Sequence, residues 1–204
     1  MALERDNMQR PNYSDFAIRV SAMLVLCCLF PGQAAADHPR CIACHGPDGM
    51  GYGNFSIPII AGIPAVHIEE ALYAYKDGAR QCEHAPLMCQ TVSEVSDHEI
   101  TELAEYFGSQ PRTTSEQEYD AAEASKGKQV HDRLCKGCHL PPDDPDVAEA
   151  LGIPLHGQHS WYLRYALDSY LNGSRENLLP AMANKLSMLQ DGDVDALINY
   201  YASF

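Results

Sequence analysis

Long apolar runs are nearly missing from this chain of 204 residues. The stretch Val20–Phe30 covers only eleven positions, whereas a helix needs about 20 apolar residues to span a bilayer. Positive charge is scarce too: 14 Lys and Arg stand against 28 Asp and Glu, a formal net charge of -14. That disfavours nucleic acid and anionic membranes as partners. It leaves steering towards a basic partner, or plain solubility, as uses for the acidic surface. No segment alternates convincingly with a period of two, so nothing argues for a sheet. No nucleophile–base pair and no paired acid/base carboxylates stand out, and side-chain catalysis has no candidate.

The chain does carry an export signal. Arg5, Arg10 and Arg19 precede the apolar run, and Pro31-Gly32-Gln33-Ala34-Ala35-Ala36 follows it. A basic region, a short apolar region and an Ala-x-Ala site make a secretory signal peptide over residues 1–36. Leu26 is not the small residue expected before a lipidated cysteine, which argues against an anchor at Cys27. The mature part, from Asp37, is expected in the periplasm. Its charge is evenly spread: residues 37–115 carry eleven acids against four bases, and residues 116–204 fourteen against seven.

Of the eight cysteines, Cys27 and Cys28 leave with the signal and Cys82 and Cys89 stand apart, as a disulfide in an oxidising compartment or as two thiols. The other four form two pentapeptides, Cys41-Ile42-Ala43-Cys44-His45 and Cys135-Lys136-Gly137-Cys138-His139. Cys-x-x-Cys-His reads as c-type haem attachment. Two thiols one turn apart add to the two vinyl groups of one haem, and the adjacent histidine meets the iron. Two zinc or redox Cys-x-x-Cys sites followed by histidine are the alternative, but the rest of the chain supplies a haem's other needs in duplicate.

The duplication is regular. At an offset of 94, Cys41 maps to Cys135, His45 to His139, Met88 to Met182 and Phe107 to Tyr201. At 95, Gly62 maps to Gly157, Leu72 to Leu167, Tyr75 to Tyr170 and Arg80 to Arg175. Ile68, Leu72 and Tyr75 predict an amphipathic helix stopping at Gly78. Ser96 and Glu99 have the form of a capping box ahead of Ile100, Leu103, Ala104 and Phe107. Leu163, Leu167 and Tyr170, then Val194, Leu197, Ile198 and Tyr201, are the second-copy equivalents. The architecture expected is all-α: a first domain over 37–110, a linker over 111–117 and a second domain over 118–204, each a small helical unit around one covalently bound haem. A helix from about Glu118 to Leu134 precedes the second motif, whereas only Asp37-His38-Pro39-Arg40 precedes the first. The face of Ile100, Leu103 and Phe107 thereby needs cover from the other domain or a partner, unless the signal is cut further upstream.

Each iron needs a ligand opposite its histidine. Met88 and Met182, each two residues after a proline (Pro86, Pro180), are the repeat-related candidates. His84 and Cys89 compete with Met88, and Met188, read as a core residue, competes with Met182. Met50 follows His45 too closely to reach the far face. Pro58 and Pro154 are placed to offer carbonyls to the proximal imidazoles, or are loop punctuation. Arg80 and Arg175 read as partners of haem propionates or as exposed helix ends, and Trp161, Tyr162 and Tyr165 as packing on the second haem or as ordinary core. Gly49-Met50-Gly51-Tyr52-Gly53 follows a haem histidine, with no strand before it, and reads as a tight loop at the haem edge rather than a nucleotide loop.

With the two motifs, the Pro58–Gly62 turn (Pro-x-x-Ala-Gly) and the Pro-x-Met elements, the chain resembles the periplasmic dihaem cytochromes c. The second half is similar to the cytochrome subunit of flavocytochrome c sulfide dehydrogenase. The matching stretches are Val130–His139, Gly157-Gln158 through Trp161–Leu167, Met182–Leu186, Asp195–Leu197 and Tyr200–Ser203; the loop Ala85–Gln90 departs from that pattern. The resemblance implies two tandem cytochrome c-like domains, electron transfer without catalysis by this chain alone, and a flavin-bearing partner that oxidises sulfide. A free dihaem shuttle feeding a terminal oxidase is the alternative, and catalysis at a haem with a displaceable ligand near Met88 is a third reading.

Overall fold

The computed structural model describes residues 39–53, 56–83, 85–176 and 179–204, and eight α-helices occur among these described residues. The expected signal peptide and His84 lie outside the described residues. In chain order the helices are α1 (Pro39–His45), α2 (Ala65–Lys76), α3 (Pro86–Ser93), α4 (Asp97–Gly108), α5 (Ala121–Leu134), α6 (Ser160–Asn172), α7 (Pro180–Leu186) and α8 (Asp193–Ala202). Among the described residues the sole β-type pairing is an isolated antiparallel bridge between Arg80 and Arg175.

Local chemistry sets the boundaries. Glu99 N–H donates to Ser96 Oγ at 3.3 Å while Ser96 N–H donates to Glu99 Oε2 at 2.8 Å, so α4 opens on a reciprocal capping box. Helix α5 begins three residues later than Glu118, because Asp120 accepts from the N–H groups of Ala122 and Glu123 at 2.8 and 3.0 Å and caps it there. Helix α6 stops at Gly173, whose φ of 82° suits glycine and few other residues.

The repeat survives as geometry. Helix α2 packs on α4 and α6 packs on α8, while Gly62 N–H donates to Phe107 O at 3.0 Å and Gly157 N–H to Tyr201 O at 2.8 Å. One core gathers Ile63, Ile68, Ile100, Leu103, Ala104 and Phe107; the other gathers Val130, Leu134, Leu163, Leu197, Ile198 and Tyr201. Leu72 and Tyr75, with Leu167 and Tyr170, are only half-buried on their helices. The two tyrosines carry arginine guanidiniums on their rings instead of filling the cores.

The face of Ile100, Leu103 and Phe107 is not an open docking surface. All three are at most 2% exposed, and Cys41, Ile60, Leu72, Tyr73 and Ile153 of the second half pack on their cluster.

The largest helix contact is α5 across α8, and Gly127 allows it. A Cβ there would lie 1.9 Å from Ala196 O and 2.8 Å from Tyr200 Cβ. Gly127→Ala is therefore expected to spread the crossing and cost about 3 kcal/mol, the upper end for overpacking, despite alanine's better helix propensity. Urea unfolding with an unchanged m-value checks it.

Candidate haem sites

The first Cys-x-x-Cys-His lies on α1. Burial pushes the half-buried Cys41 thiol up, Cys44 is exposed, and neither is in a disulfide. Burial also holds His45 below its ordinary pKa, so its imidazole is neutral. The Pro58 carbonyl faces this ring and opposes that shift. The contact falls short of a formed hydrogen bond, and His45 Nδ1 has no other partner among the described residues.

The second motif follows α5 in a tight turn, with Cys138 and His139 N–H groups donating to Cys135 O at 3.1 and 3.0 Å. His139 Nδ1 donates to Ile153 O at 2.8 Å. This fixes the tautomer that leaves Nε2 free as a ligand, and burial again keeps the ring neutral. Gly152 lies against the imidazole, where a Cβ would come within 2.6 Å of Nδ1. The carbonyl is thus Ile153's and not the expected Pro154's; Pro154 O accepts from Arg112 Nη2 at 3.2 Å. Under the 95-residue offset Pro58 corresponds to Ile153, so peptide position is repeated and proline is not. The half-buried Cys135 thiol is pushed up by burial, and a hydrogen bond with the Tyr201 hydroxyl opposes this.

Met88 and Met182 occupy the first turns of α3 and α7, each two residues after the opening proline, with N–H bonds to Ala85 O and Leu179 O at 3.0 Å. Both are half-buried. Met188 is 54% exposed and is not the core residue expected. Met50 Sδ accepts from Thr113 Oγ1 at 3.2 Å, in a glycine loop whose Gly49 carbonyl accepts from Ile60 N–H at 2.9 Å.

Cys82 and Cys89 are joined in a disulfide with Cα atoms 6.0 Å apart, within the usual span. The bridge closes the short loop that contains Met88 and removes Cys89 as a thiolate ligand. Serine at both positions is expected to cost about 2 kcal/mol of stability, from the chain entropy of so short a loop, and to loosen Met88. Denaturant titration reads the first effect and the haem absorption spectrum the second.

Arg80 and Arg175 are not exposed helix ends. Their backbones pair, with Gln81 N–H donating to Ser174 O at 2.9 Å and Glu176 N–H to Ala79 O at 2.8 Å. Arg80 lies 5.3 Å from the Tyr75 ring, and Arg175 5.8 and 5.1 Å from those of Tyr165 and Tyr170. Arg175 is 5% exposed, and its Nη2 has no partner among the described residues. Trp161 is 52% exposed and stacks on Tyr165, so it is not core.

This arrangement fits two covalently bound haems. Each half supplies two unpaired thiols, a neutral histidine and a methionine at the start of a later helix. A buried guanidinium with an unsatisfied nitrogen calls for an acidic group such as a propionate. No cluster of three or more His, Cys, Asp or Glu side chains suited to a metal ion occurs among the described residues. His67, His98, His131, His156 and His159 form no such cluster either.

No known family model matches the chain. It is 30% identical over 190 residues to cytochrome c4 of Azotobacter vinelandii, covering 83% of this chain and 88% of that one. It is 41% identical over 94 residues to a thiosulfate dehydrogenase electron acceptor of Stutzerimonas stutzeri, spanning 46% of this chain and 41% of that protein. The crystal structure of reduced recombinant cytochrome c4 from Pseudomonas stutzeri superimposes with a TM-score of 0.67 at 26% identity, over 83% of this chain and 95% of that one. Fold, site and likeness together define a dihaem c-type cytochrome, a two-domain electron carrier with two covalently bound haem c groups. The chain belongs to the cytochrome c4 family.

Proposed function

We propose that Cys41 and Cys44 bind the first haem and Cys135 and Cys138 the second. His45 and His139 are the proximal ligands, and Met88 and Met182 the distal ones. The domains run over 37–110 and 118–204 with the linker at 111–117, and the mature protein acts in the periplasm. The matched placement of histidine and methionine in both halves carries this reading. Met/His ligation fills both axial positions and favours a high potential, which suits outer-sphere electron transfer rather than substrate binding. The bound haems supply the one-electron chemistry. The chain contributes thiol attachment, a fixed imidazole tautomer, exclusion of water by the two cores and a cationic pair, Arg80 and Arg175, for the propionates.

The donor is a dehydrogenase acting on a reduced inorganic sulfur compound. The likeness to a thiosulfate dehydrogenase electron acceptor supports this class. The second-half motifs Val130–His139 and Met182–Leu186 favour a flavoprotein sulfide dehydrogenase as the particular partner. Mixing the oxidised protein with thiosulfate dehydrogenase and thiosulfate, or with a flavoprotein sulfide dehydrogenase and sulfide, tests both. Rapid haem reduction by one pair identifies the donor. Reduction by neither, with no flavoprotein co-purifying, removes the sulfur assignment and leaves a general shuttle to a terminal oxidase.

A further inference from the structure

The peptide that faces His45 is anchored from the opposite half of the molecule. Pro58 lies between Ile57 and Ile59. Ile59 N–H donates to Gln158 Oε1 at 2.8 Å and Gln158 Nε2 donates to Ile59 O at 2.8 Å. His159 Nδ1 donates to Ile57 O at 2.6 Å. Ile59, Gln158 and His159 are each no more than 1% exposed. Gln158 Oε1 also accepts from the His159 backbone N–H at 2.9 Å, which ties the Gln158 side chain to the His159 backbone. Three hydrogen bonds, two buried and one part-buried, from residues about 100 positions away thus bracket one carbonyl.

The arrangement is not reciprocated. His139 takes its acceptor, Ile153 O, from its own half. Under the 95-residue offset Gln158 and His159 correspond to Ile63 and Pro64, neither of which has a side-chain donor or acceptor. Arg112, from the linker, reaches Pro154 O and Ala61 O at 3.2 Å, one residue beyond the carbonyl that His139 uses. Within the first half the same stretch is held by Gly49 O, which accepts from Ile60 N–H at 2.9 Å. A side chain at Gly49 would meet Ala61 N at 2.9 Å, so the loop is pinned from both sides.

We propose that Gln158 and His159 are positioning residues for the proximal histidine of the other domain. They set how closely Pro58 O approaches His45 Nδ1, and so how strongly the first haem's ligand donates to its iron. The inference rests on His45 being that ligand. An acceptor at the distal ring nitrogen makes an imidazole a stronger donor, which favours the ferric state. Loosening the anchor therefore raises the first haem's potential and leaves the second's in place.

Gln158→Met keeps the volume and removes both bonds to Ile59, and His159→Phe removes the bond to Ile57 and tests the same anchor if the first variant does not fold. Nuclear magnetic resonance of the holoprotein at stepped redox poise reads the oxidised fraction of each haem separately. The ratio of oxidised to reduced first haem at fixed poise is expected to fall about tenfold, equivalent to about 59 mV for one electron, with the second haem unmoved. An unmoved first haem in a folded variant, or equal shifts at both haems, overturns the proposal. Replacing His45 itself separates the two failures: an unchanged first-haem spectrum in that variant removes the ligand assignment and the inference together.

Discussion

Replacing Met182 with alanine is expected to lower the second haem's potential and turn its ferric form high-spin, with the sixth position open to added imidazole or cyanide. The drop is on the order of 0.1 V or more, inside the ~0.8 V range that axial ligands set. The expectation rests on position. Met182 is half-buried in the first turn of α7, held by its N–H bond to Leu179 O, whereas Met188 is 54% exposed after that helix. Met188→Ala should therefore leave the spectrum unchanged, and the pair of variants separates ligand from bystander. Met88→Ala should act in the same way on the first haem. Its cysteine rival, Cys89, is tied to Cys82 and has no thiolate to offer unless the bridge is reduced. A normal low-spin spectrum in Met182→Ala would mean that the ligand had been misassigned.

What the sequence made legible was local chemistry repeated in duplicate. The Ser96–Glu99 box and the glycine stop at Gly78 after α2 each depend on neighbours within a few positions, and each is found where the pattern puts it. The paired proline–methionine turns are equally local, since a proline opens α3 and α7 alike. The start of α5 falls three residues after Glu118 because the Asp120 side chain caps the helix, a choice that hydrogen bonds make. The carbonyl facing His139 is Ile153's rather than a proline's because the repeated quantity is the peptide's place four residues before the shared glycine, Gly62 or Gly157. Gln158, His159 and Arg112 gave no signal at all as struts between the halves. Their partners are backbone atoms 42 to 102 residues away, and a contact with backbone leaves no mark on the partner's side chain. The pairing of Arg80 with Arg175 is hidden in the same way, because it runs through backbone atoms while Arg80 lies over Tyr75 and Arg175 over Tyr165 and Tyr170.

Acid should destabilise the second half through a pair of histidines outside the proposed ligand set. His131 and His156 are 3% and 2% exposed with ring centroids 5.0 Å apart. His131 Nδ1 bonds the Tyr201 hydroxyl at 2.9 Å, and His156 Nδ1 has no partner among the described residues. Burial, with a smaller contribution from neighbouring positive charge, pulls each down to about 4 from an ordinary 6.5. The unfolded chain takes up protons as pH falls through 6.5, while the folded chain resists until about 4. The unfolded state therefore binds more protons across that window, and stability falls with pH. The contribution is fully present above about pH 6.5 and is lost on the way down to about pH 4. It amounts to at most about 3 kcal/mol for each histidine at 1.36 kcal/mol per pKa unit, and less than twice that for the pair because their charges repel. Replacing His156 with phenylalanine keeps an aromatic ring beside Tyr200 and Phe204, which it now meets at 5.6 and 4.6 Å, and removes one titrating group. Urea midpoints of the holoprotein between pH 4 and 7 should then slope less steeply than in the wild type. An unchanged slope would place the acid sensitivity elsewhere, in the carboxylates that give the chain its charge of -14.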